Sequence, residues 1–286
     1  MVTPEQRRAV VTEIGTRRAL SLRCACRYLG VHRALIQYRS MAPPQDALRE
    51  RLRALAVAKP RWGSPRLTWR LQREGWAVNH KRIERIVREE RLLVGRRPRR
   101  KRVAPARVPT PVPTRPDQRW SMDFVRDTTA DGRPFRVWTL VDDATRECPL
   151  LVVDRSLPAT RVVAALEALL LVRGRPQAIV CDNGPEFVSQ ALDQWASAAG
   201  ITLDFIRPGH PVENCFIESF NGKFRDECLA QQHFATLAEA RDRIEAWRHE
   251  YNTERPHRSL GHQTPAEYAA RFTPEEGYSS PTILRS

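Results

Sequence analysis

The chain opens with short segments whose apolar residues recur at helical spacing between capping residues. A first segment starts at Thr3-Pro4, which offers a capping hydroxyl and a proline at the first helical position. A second starts at Ser21 and stops at Gly30, and a third follows it. Helix, glycine turn and helix in this order predict a helix-turn-helix module over residues 1–40.

The same arrangement recurs over residues 41–95, and its last helix is basic. Asn79 is placed to cap this helix after the glycine turn at Gly75. A basic helix after such a turn is typical of a recognition helix in the major groove, although a solvated face of a small bundle has the same pattern. The residues of this helix that we predict to contact DNA are Lys81, Arg82 and Arg85.

Residues 96–116 have the composition of a linker. Arginine and lysine dominate its start and five prolines follow, which favours an extended chain that is suited to lie along phosphates. The hydrophobic pattern of a folded core resumes at residue 117 and ends near residue 272. We treat residues 273–286 as a C-terminal tail.

The core alternates between strand and helix patterns. Trp120, Met122 and Phe124 alternate with polar or small positions, as in a strand, and two more strand patterns follow at 136–141 and 149–153. The remaining patterns predict helices at 160–172, 187–199, 212–229 and 236–251 and strands at 177–181 and 201–205. This order is similar to that of the ribonuclease-H-like fold. We therefore predict an α/β core with a mixed five-stranded sheet and helices, preceded by all-α helix-turn-helix modules.

Charge is distributed very unevenly along the chain. The first 116 residues hold 29 Lys and Arg against 8 Asp and Glu, whereas the remaining 170 hold 19 basic and 25 acidic residues. Such a basic block on a mildly acidic globular block indicates an arm that binds a polyanion such as nucleic acid. No run of apolar residues approaches the roughly 18 that a membrane span needs. We expect a cytoplasmic, nucleoid-associated protein with no membrane partner.

Two aspartates stand where phosphodiester chemistry would need them. Asp123 is a charge inside an aromatic strand, which is costly unless the side chain is paired or lies at an edge. Asp182 follows the apolar strand at 177–181, at the strand end where α/β sites form. Its local sequence, Asp-Asn-Gly-Pro, is equally typical of an ordinary turn.

A third acid, Glu218, lies within the helix predicted at 212–229. It shares a helical face with Asn214, Asn221 and Arg225. A separate apolar stripe is formed by Ile217, Phe220, Phe224 and Cys228. The polar face predicts either a metal ligand with phosphate contacts beside it or a merely solvated surface.

Longer motifs around these acids carry a family resemblance. The segments at 182–187 and 213–229, with thirty-five residues between Asp182 and Glu218, resemble OrfB-type insertion-sequence transposases. The strand at 120–124 matches the family's first-aspartate strand, and Tyr251-Asn252 with Arg255-Pro256-His257 matches its C-terminal motif. These transposases share the DDE integrase core with retroviral integrases.

The resemblance implies a catalytic triad and its chemistry. Asp123, Asp182 and Glu218 would bind two Mg²⁺ or Mn²⁺ ions and catalyse DNA strand cleavage and strand transfer in transposition. It further implies a homo-oligomer that pairs transposon ends with target DNA, and a possible upstream-frame product as partner or fusion. Candidate DNA contacts in the core are Asn214, Asn221, Lys223 and Arg225.

Two other functions compete with this interpretation. A non-catalytic DNA-binding regulator derived from a transposase would need only the N-terminal basic modules. A ribonuclease H-type nuclease would act on RNA–DNA hybrids, which the paired basic helix-turn-helix modules disfavour.

Overall fold

The computed structural model describes residues 4–38, 45–92, 112–184, 186–207 and 214–272. The chain separates into two compact units, Met1–Glu50 and Arg51–Ser286. The predicted module boundaries at residues 40 and 95, the greater part of the predicted linker and the tail at 273–286 lie outside the described residues, so they stay predictions. Among the helices that are described, none is long and apolar enough to cross a membrane.

The first unit contains three short helices around a small core. Ser21 caps the second helix, since its hydroxyl accepts a hydrogen bond from the backbone N–H of Cys24. Val11, Ala25 and Cys26 are buried between the helices. The helices are α1 (Pro4–Arg17), α2 (Leu22–Tyr28) and α3 (Arg33–Gln37).

A second helical module follows. Its helices are α4 (Asp46–Ala58), α5 (Ser64–Arg73) and α6 (His80–Glu89). Asn79 caps α6 as predicted, because its side-chain oxygen accepts from the N–H of Arg82 at 2.8 Å. The apolar face of α6 is fully buried while Lys81 and Arg85 are exposed, so the helix separates a core face from a basic face.

The core is built on a mixed five-stranded sheet, as predicted. Its strands are β1 (Arg119–Thr128), β2 (Pro134–Asp142), β3 (Leu150–Asp154), β4 (Ala178–Cys181) and β5 (Thr202–Phe205). They are arranged in the order β3-β2-β1-β4-β5. The first three form an antiparallel meander, and β4 and β5 run parallel to β1.

Helices cover both faces of this sheet. They are α7 (Ala159–Arg173), α8 (Gln190–Ala199), α9 (Cys215–Glu227), α10 (Leu237–Thr253) and α11 (Pro265–Ala269). Trp120 and Met122 of β1 pack in one hydrophobic cluster with α7 and α8. Val125, whose side chain alternates to the other face, packs in a second cluster with α9 and α10. The apolar stripe predicted on α9 is buried in that second cluster.

One predicted helix boundary is wrong. The pattern predicts a helix from Phe187, but α8 begins at Gln190. Ser189 is the cap, with its hydroxyl accepting from the N–H of Leu192, and the N–H of Phe187 closes a turn on the carbonyl of Gly184. The turn that contains Asp182 therefore extends further than the apolar pattern suggests. The predicted start of α9 at residue 212 lies outside the described residues.

Basic residues of the second helical module form ion pairs with the acidic side of the core. The pairs are Lys59–Glu250, Arg61–Asp226, Arg66–Glu227, Arg70–Glu254 and Arg73–Glu267. Trp69 of α5 also stacks on His262, with ring centroids 3.6 Å apart. The basic residues of α5 therefore contact protein, and α6 keeps its basic face exposed.

Candidate active site

Asp123 lies near the middle of β1, on the face of the sheet that α9 covers. Its side chain alternates to the same side as Val125, which packs in the cluster formed with α9. The side chain is half-buried. Its Oδ1 accepts a hydrogen bond from the N–H of Phe124 and its Oδ2 accepts one from the amide of Asn221, both at 2.7 Å. The carboxylate is thereby fixed in direction.

Asn221 is itself held from the sheet side. The hydroxyl of Thr139, on β2, lies 3.0 Å from Asn221 Oδ1 and 3.1 Å from the carbonyl oxygen of Asp123. Thr139 is fully buried, and Asn221 is only 1% exposed. A buried polar side chain with both ends of its amide bonded has a defined orientation. The amide of Asn221 therefore ties the middle of α9 to the strand that carries Asp123.

Asp182 lies level with Asp123 on the neighbouring strand. Ser121 of β1 pairs with Val180 of β4 in a parallel register, and two more residues along each strand bring the two aspartates side by side. Asp182 Oδ1 accepts from the N–H of Gly184 at 3.0 Å, which forms the turn that its sequence predicts. The strands thus bring together the first two predicted acids.

The electrostatics of Asp123 agree with this proximity. Burial raises the pKa of its carboxyl above the ordinary value, and the negative charge of Asp182 raises it further. Hydrogen bonds from Phe124 and Asn221 and the positive charge of Arg225 lower the same pKa. Two carboxylates that repel each other, one on β1 and one directly after β4, form a set of oxygen donors with the chemistry that Mg²⁺ prefers.

Glu218 lies one helical turn before Asn221 on α9, and its side chain is exposed. Because Asn221 contacts Asp123, this part of α9 is close to β1. Within the described ranges, no three Asp, Glu, His or Cys side chains lie close enough to hold a metal ion together. The role of Glu218 as a third ligand therefore stays a prediction.

The other predicted residues of α9 fall into different environments. Asn221 and Asn214 are buried, so neither presents its amide to a DNA surface, and the prediction that they contact phosphates needs revision. The amide of Asn221 turns towards the sheet, whereas Glu218 and Arg225, which were predicted on the same face, are exposed. Arg225 is exposed, whereas Lys223 is half-buried and donates to Ser219.

The turn that contains Asp182 is held by contacts that the sequence analysis missed. Arg136 of β2 forms an ion pair with Glu186 at 2.6 Å, and its guanidinium lies 4.2 Å above the ring of Phe124. The ring of Phe124 in turn stacks on Phe187, with centroids 5.0 Å apart. These contacts connect the two ends of the turn to β1 and β2. In the sequence, these contacts were indicated only by Arg136 itself, a charged residue in an otherwise apolar strand.

Gly184 lets two carboxylates approach the turn closely. A Cβ atom at this position would lie 2.9 Å from Asp182 Oδ1 and 3.1 Å from Glu186 Oε2. The side chain of Asn183 fixes the other side of the turn, where its amide donates to the carbonyl of Ile206 at 2.7 Å. The geometry around Asp182 therefore depends on the absence of a side chain at residue 184.

Asp142, the last residue of β2, and Asp143 after it have structural roles. Both are fully buried. Asp142 accepts from the N–H groups of Ala144 and Thr145, while Asp143 pairs with Arg119 at 2.6 Å and accepts from the hydroxyl of Ser121 at 2.7 Å. Burial raises the pKa of Asp143 to about 6, against the opposing effect of these bonds.

Comparison with protein families matches two parts of the chain. An integrase core domain matches residues 113–211, and a second integrase core model matches residues 199–265. An HTH-like domain matches residues 43–102, which covers the second helical module. The HTH-like match ends at residue 102 and the integrase core match begins at residue 113, so the boundary between them falls within the predicted linker.

Curated relatives resemble nearly the whole chain. An insertion element IS407 protein of 31.7 kDa from Burkholderia multivorans is 45% identical over 88% of this chain and 91% of its own length. An insertion element IS476 protein of 39.2 kDa from Xanthomonas euvesicatoria is 40% identical over 96% of this chain and 80% of its own. InsK, a putative transposase for IS150 from Escherichia coli, is 26% identical over 73% of this chain and 77% of its own.

Solved structures share the fold. A chain of the simian T-cell lymphotropic virus intasome, solved in complex with a PP2A regulatory subunit, matches with a TM-score of 0.51 at 14% identity. The match covers 82% of this chain and 80% of the viral chain. At this identity the likeness supports the ribonuclease-H-like integrase fold alone.

Proposed function

Because the chain belongs to the insertion-sequence transposases of the retroviral-integrase superfamily, we propose that Asp123, Asp182 and Glu218 form its catalytic site. The observation that supports this most directly is the pair of aspartates, Asp123 on β1 and Asp182 directly after the adjacent β4, with α9 tied to Asp123 through Asn221. Glu218 lies one turn away on that helix. None of these findings favours the regulator that lacks catalysis.

We infer that the site uses two divalent cations, Mg²⁺ or Mn²⁺. Two such ions about 3.5–4 Å apart activate the attacking oxygen and stabilise the leaving oxygen of a phosphodiester. The residues fit this group, because the donors are carboxylates and because a cation would relieve the repulsion between Asp123 and Asp182. Phe124 and Asn221 orient the oxygens of Asp123, and the turn closed by Gly184 orients Asp182.

The reaction proposed is cleavage followed by strand transfer. Water attacks the phosphodiester at a transposon end and releases a 3′ hydroxyl, which then attacks a second phosphodiester in line. The sequence motif contains no serine or tyrosine nucleophile, so a direct displacement without a covalent enzyme intermediate is expected. Arg225, exposed beside the site, is placed to contact the DNA backbone.

Duplex DNA is the proposed partner of the helical modules. The match to an HTH-like domain and the exposed Lys81 and Arg85 of α6 support this proposal. Arg82, half-buried at the start of the same helix, completes the basic face. We propose that the protein acts at transposon ends and target DNA in the cytoplasm, as a multimer that pairs two ends, with an upstream-frame product as a possible partner.

The proposal is tested with the full chain on DNA that carries the element's ends, with Mg²⁺, and with the upstream product supplied in parallel. Wild-type protein should cleave and join strands, and Glu218→Gln should abolish both. Glu167→Gln, the same change at an exposed position on α7, is the matched control and should leave activity unchanged. If Glu218→Gln retains the wild-type rate, the catalytic assignment is wrong.

A further inference from the structure

Four cationic side chains from separate segments converge beside α9. Arg66 comes from α5, Arg146 from the turn after β2, Lys223 from α9 and Arg255 from the segment after α10. All four interact electrostatically with the ring of His257, and the three arginines interact with Lys223. We call this set, Arg66, Arg146, Lys223 and Arg255, the basic pocket.

Direct contacts fix the pocket's side chains. Lys223 Nζ donates to the carbonyl oxygen of Ser219 at 2.8 Å and to its hydroxyl at 2.7 Å. The guanidinium of Arg146 lies 3.9 Å from the ring centroid of Phe216, also on α9. Arg255 forms two bonds of 2.7 Å with Glu227. The charged groups are therefore held in place rather than spread through solvent.

Positive charge exceeds negative charge in this pocket. Glu227 pairs with Arg255 and, at 3.1 Å, with Arg66. Within the described part of the chain, neither Lys223 nor Arg146 forms an ion pair with a carboxylate. Asp143, the nearest acid to act on Arg146, is already paired with Arg119. Residues 117–286 as a whole contain more acidic than basic residues. The basic pocket differs from the rest of this segment, because positive charge is in excess there.

The neighbouring positive charges affect the pKa of Lys223. Burial and the positive charges of Arg255, Arg66 and Arg146 together lower the pKa of its amine to about 7, against the attraction of Glu227. Like charges held together in a partly buried site repel each other strongly. An anion bound among them would remove this repulsion.

The pocket is open to solvent beside Ser219, on a face of α9 other than the one that carries Glu218 and Asn221. Ser219 is exposed, and Arg66, Arg146 and Lys223 are half-buried, whereas Arg255 and His257 are buried beneath them. Ser219 and Lys223 are four residues apart and share a helical face, so an anion at this opening would meet both side chains. Hydroxyl, ammonium and guanidinium groups together are donors typical of phosphate recognition.

We propose that the basic pocket binds a phosphate of a DNA strand, at a face of α9 other than the one that carries Glu218. The strand is held jointly by the core and by α5 of the second helical module. That the phosphate belongs to DNA rests on the proposed function. That the pocket binds a phosphate is inferred from the side chains of the pocket itself.

The first test measures binding of a fluorescent duplex to the full chain in metal-free buffer, over a range of salt concentrations. Lys223→Gln and Arg146→Gln should each weaken binding by about tenfold. Each should also lower the slope of log affinity against log salt by about one, which is the loss of one phosphate contact. Arg133→Gln removes the same charge at an exposed turn of the core and should change neither quantity.

The second test needs no substitution. The chain has four lysines, at positions 59, 81, 101 and 223, and acetylation of each is followed by peptide mass spectrometry. Duplex DNA should protect Lys223, while Lys59, which is paired with Glu250, serves as the internal reference. Inorganic phosphate is the second arm. Protection by phosphate without protection by DNA would assign the pocket to a free anion and overturn the proposal.

Failure of this inference and failure of the proposed function give different results. If wild type binds DNA and protects Lys223 but never cleaves, the catalytic assignment fails and the pocket stands. If wild type cleaves while Lys223→Gln binds normally and Lys223 stays unprotected, the pocket proposal is wrong.

Discussion

The amide of Asn221 donates to Asp123 Oδ2 at 2.7 Å, although the two residues are 98 positions apart in the chain. This bond joins the helix of Glu218 to the strand of the first predicted acid. The bond fixes the rotation of α9 about its own axis more tightly than packing of the apolar stripe would on its own. The position of Glu218 relative to Asp123 therefore depends on a residue that has no role in the chemistry.

We predict that Asn221→Ala lowers strand cleavage by about 10- to 100-fold, the usual effect of removing a residue that orients a ligand. Without the amide, one oxygen of Asp123 loses its partner and the carboxylate turns more freely. The measurement is cleavage rate against Mg²⁺ concentration, and the half-maximal concentration should rise. Gln194→Ala, on the exposed face of α8, is the control. An unchanged metal dependence in Asn221→Ala would contradict the role given to this amide.

Gly184→Ala should damage activity while leaving the fold stable. The nearest atoms that the added Cβ meets belong to the carboxyl groups of Asp182 and Glu186, which can move aside at little cost. A displacement of Asp182 by about 1 Å is expected to lower cleavage by about 100-fold. Rates and urea unfolding are measured together.

Gly222→Ala supplies the comparison for that substitution. Apart from the backbone of α9 itself and the two neighbouring residues, no atom of the described part of the chain lies within 4 Å of a Cβ at this position, so alanine should raise the free energy of unfolding by about 0.5–1 kcal/mol and preserve cleavage. Equal activities for the two alanine variants would show that the turn does not position Asp182.

His257 should make the fold sensitive to acid. Burial lowers the pKa of its ring, and with the positive charge of Arg255, whose Nη1 lies 3.3 Å from His257 Nε2, the pKa falls to about 2. The unfolded chain protonates near pH 6.5 and binds more protons than the folded chain below that pH. The contribution to stability is therefore complete above pH 6.5 and lost as pH falls, by roughly 2 kcal/mol at pH 5.

The measurement is urea unfolding at pH 7 and pH 5 for wild type and His257→Gln. The glutamine variant should lose less stability between the two pH values, because a neutral side chain has no proton to gain. His233→Gln, at an exposed position, should behave as wild type. Parallel losses in wild type and His257→Gln would show that another group causes the acid sensitivity.

Lys81→Gln combined with Arg85→Gln should weaken duplex binding and reduce its salt dependence, since both side chains are exposed on α6. A loss of two phosphate contacts lowers the slope of log affinity against log salt by about two. Arg161→Gln combined with Arg133→Gln, at exposed positions of the core, removes the same number of charges and is the control. If the double variant binds as wild type does, α6 is not a DNA-contacting helix.

Periodicity predicted much of this fold because each element buries one face. The alternation in β1 and the stripe on α9 identified the buried residues, and capping residues such as Asn79 located the helix starts. The boundary of α8 was wrong because the turn around Gly184 lies within a run that also fits a helix. Short-range rules do not show how far such a turn extends.

The site was predicted less completely, and the reason is the distance along the chain. The family resemblance singled out Asp123 and Asp182, and the parallel register brings them together. The polar face of α9 was identified, yet the orientation of Asn221 towards the sheet follows from Thr139, which is 82 residues away. Arg136 likewise contacts Glu186 across the sheet. Helical and strand periods carry no information about such pairings.

The ion pairs between α5 and the acidic side of the core limit how this protein can be divided. A fragment that starts at the integrase core would leave Glu227, Glu250 and Glu254 without the partners they have in the whole chain. A chimaera that exchanges the helical module for another would create the same mismatch. Redirecting the protein to a different DNA sequence is therefore better attempted by substitution on α6, with α5 kept as part of the core.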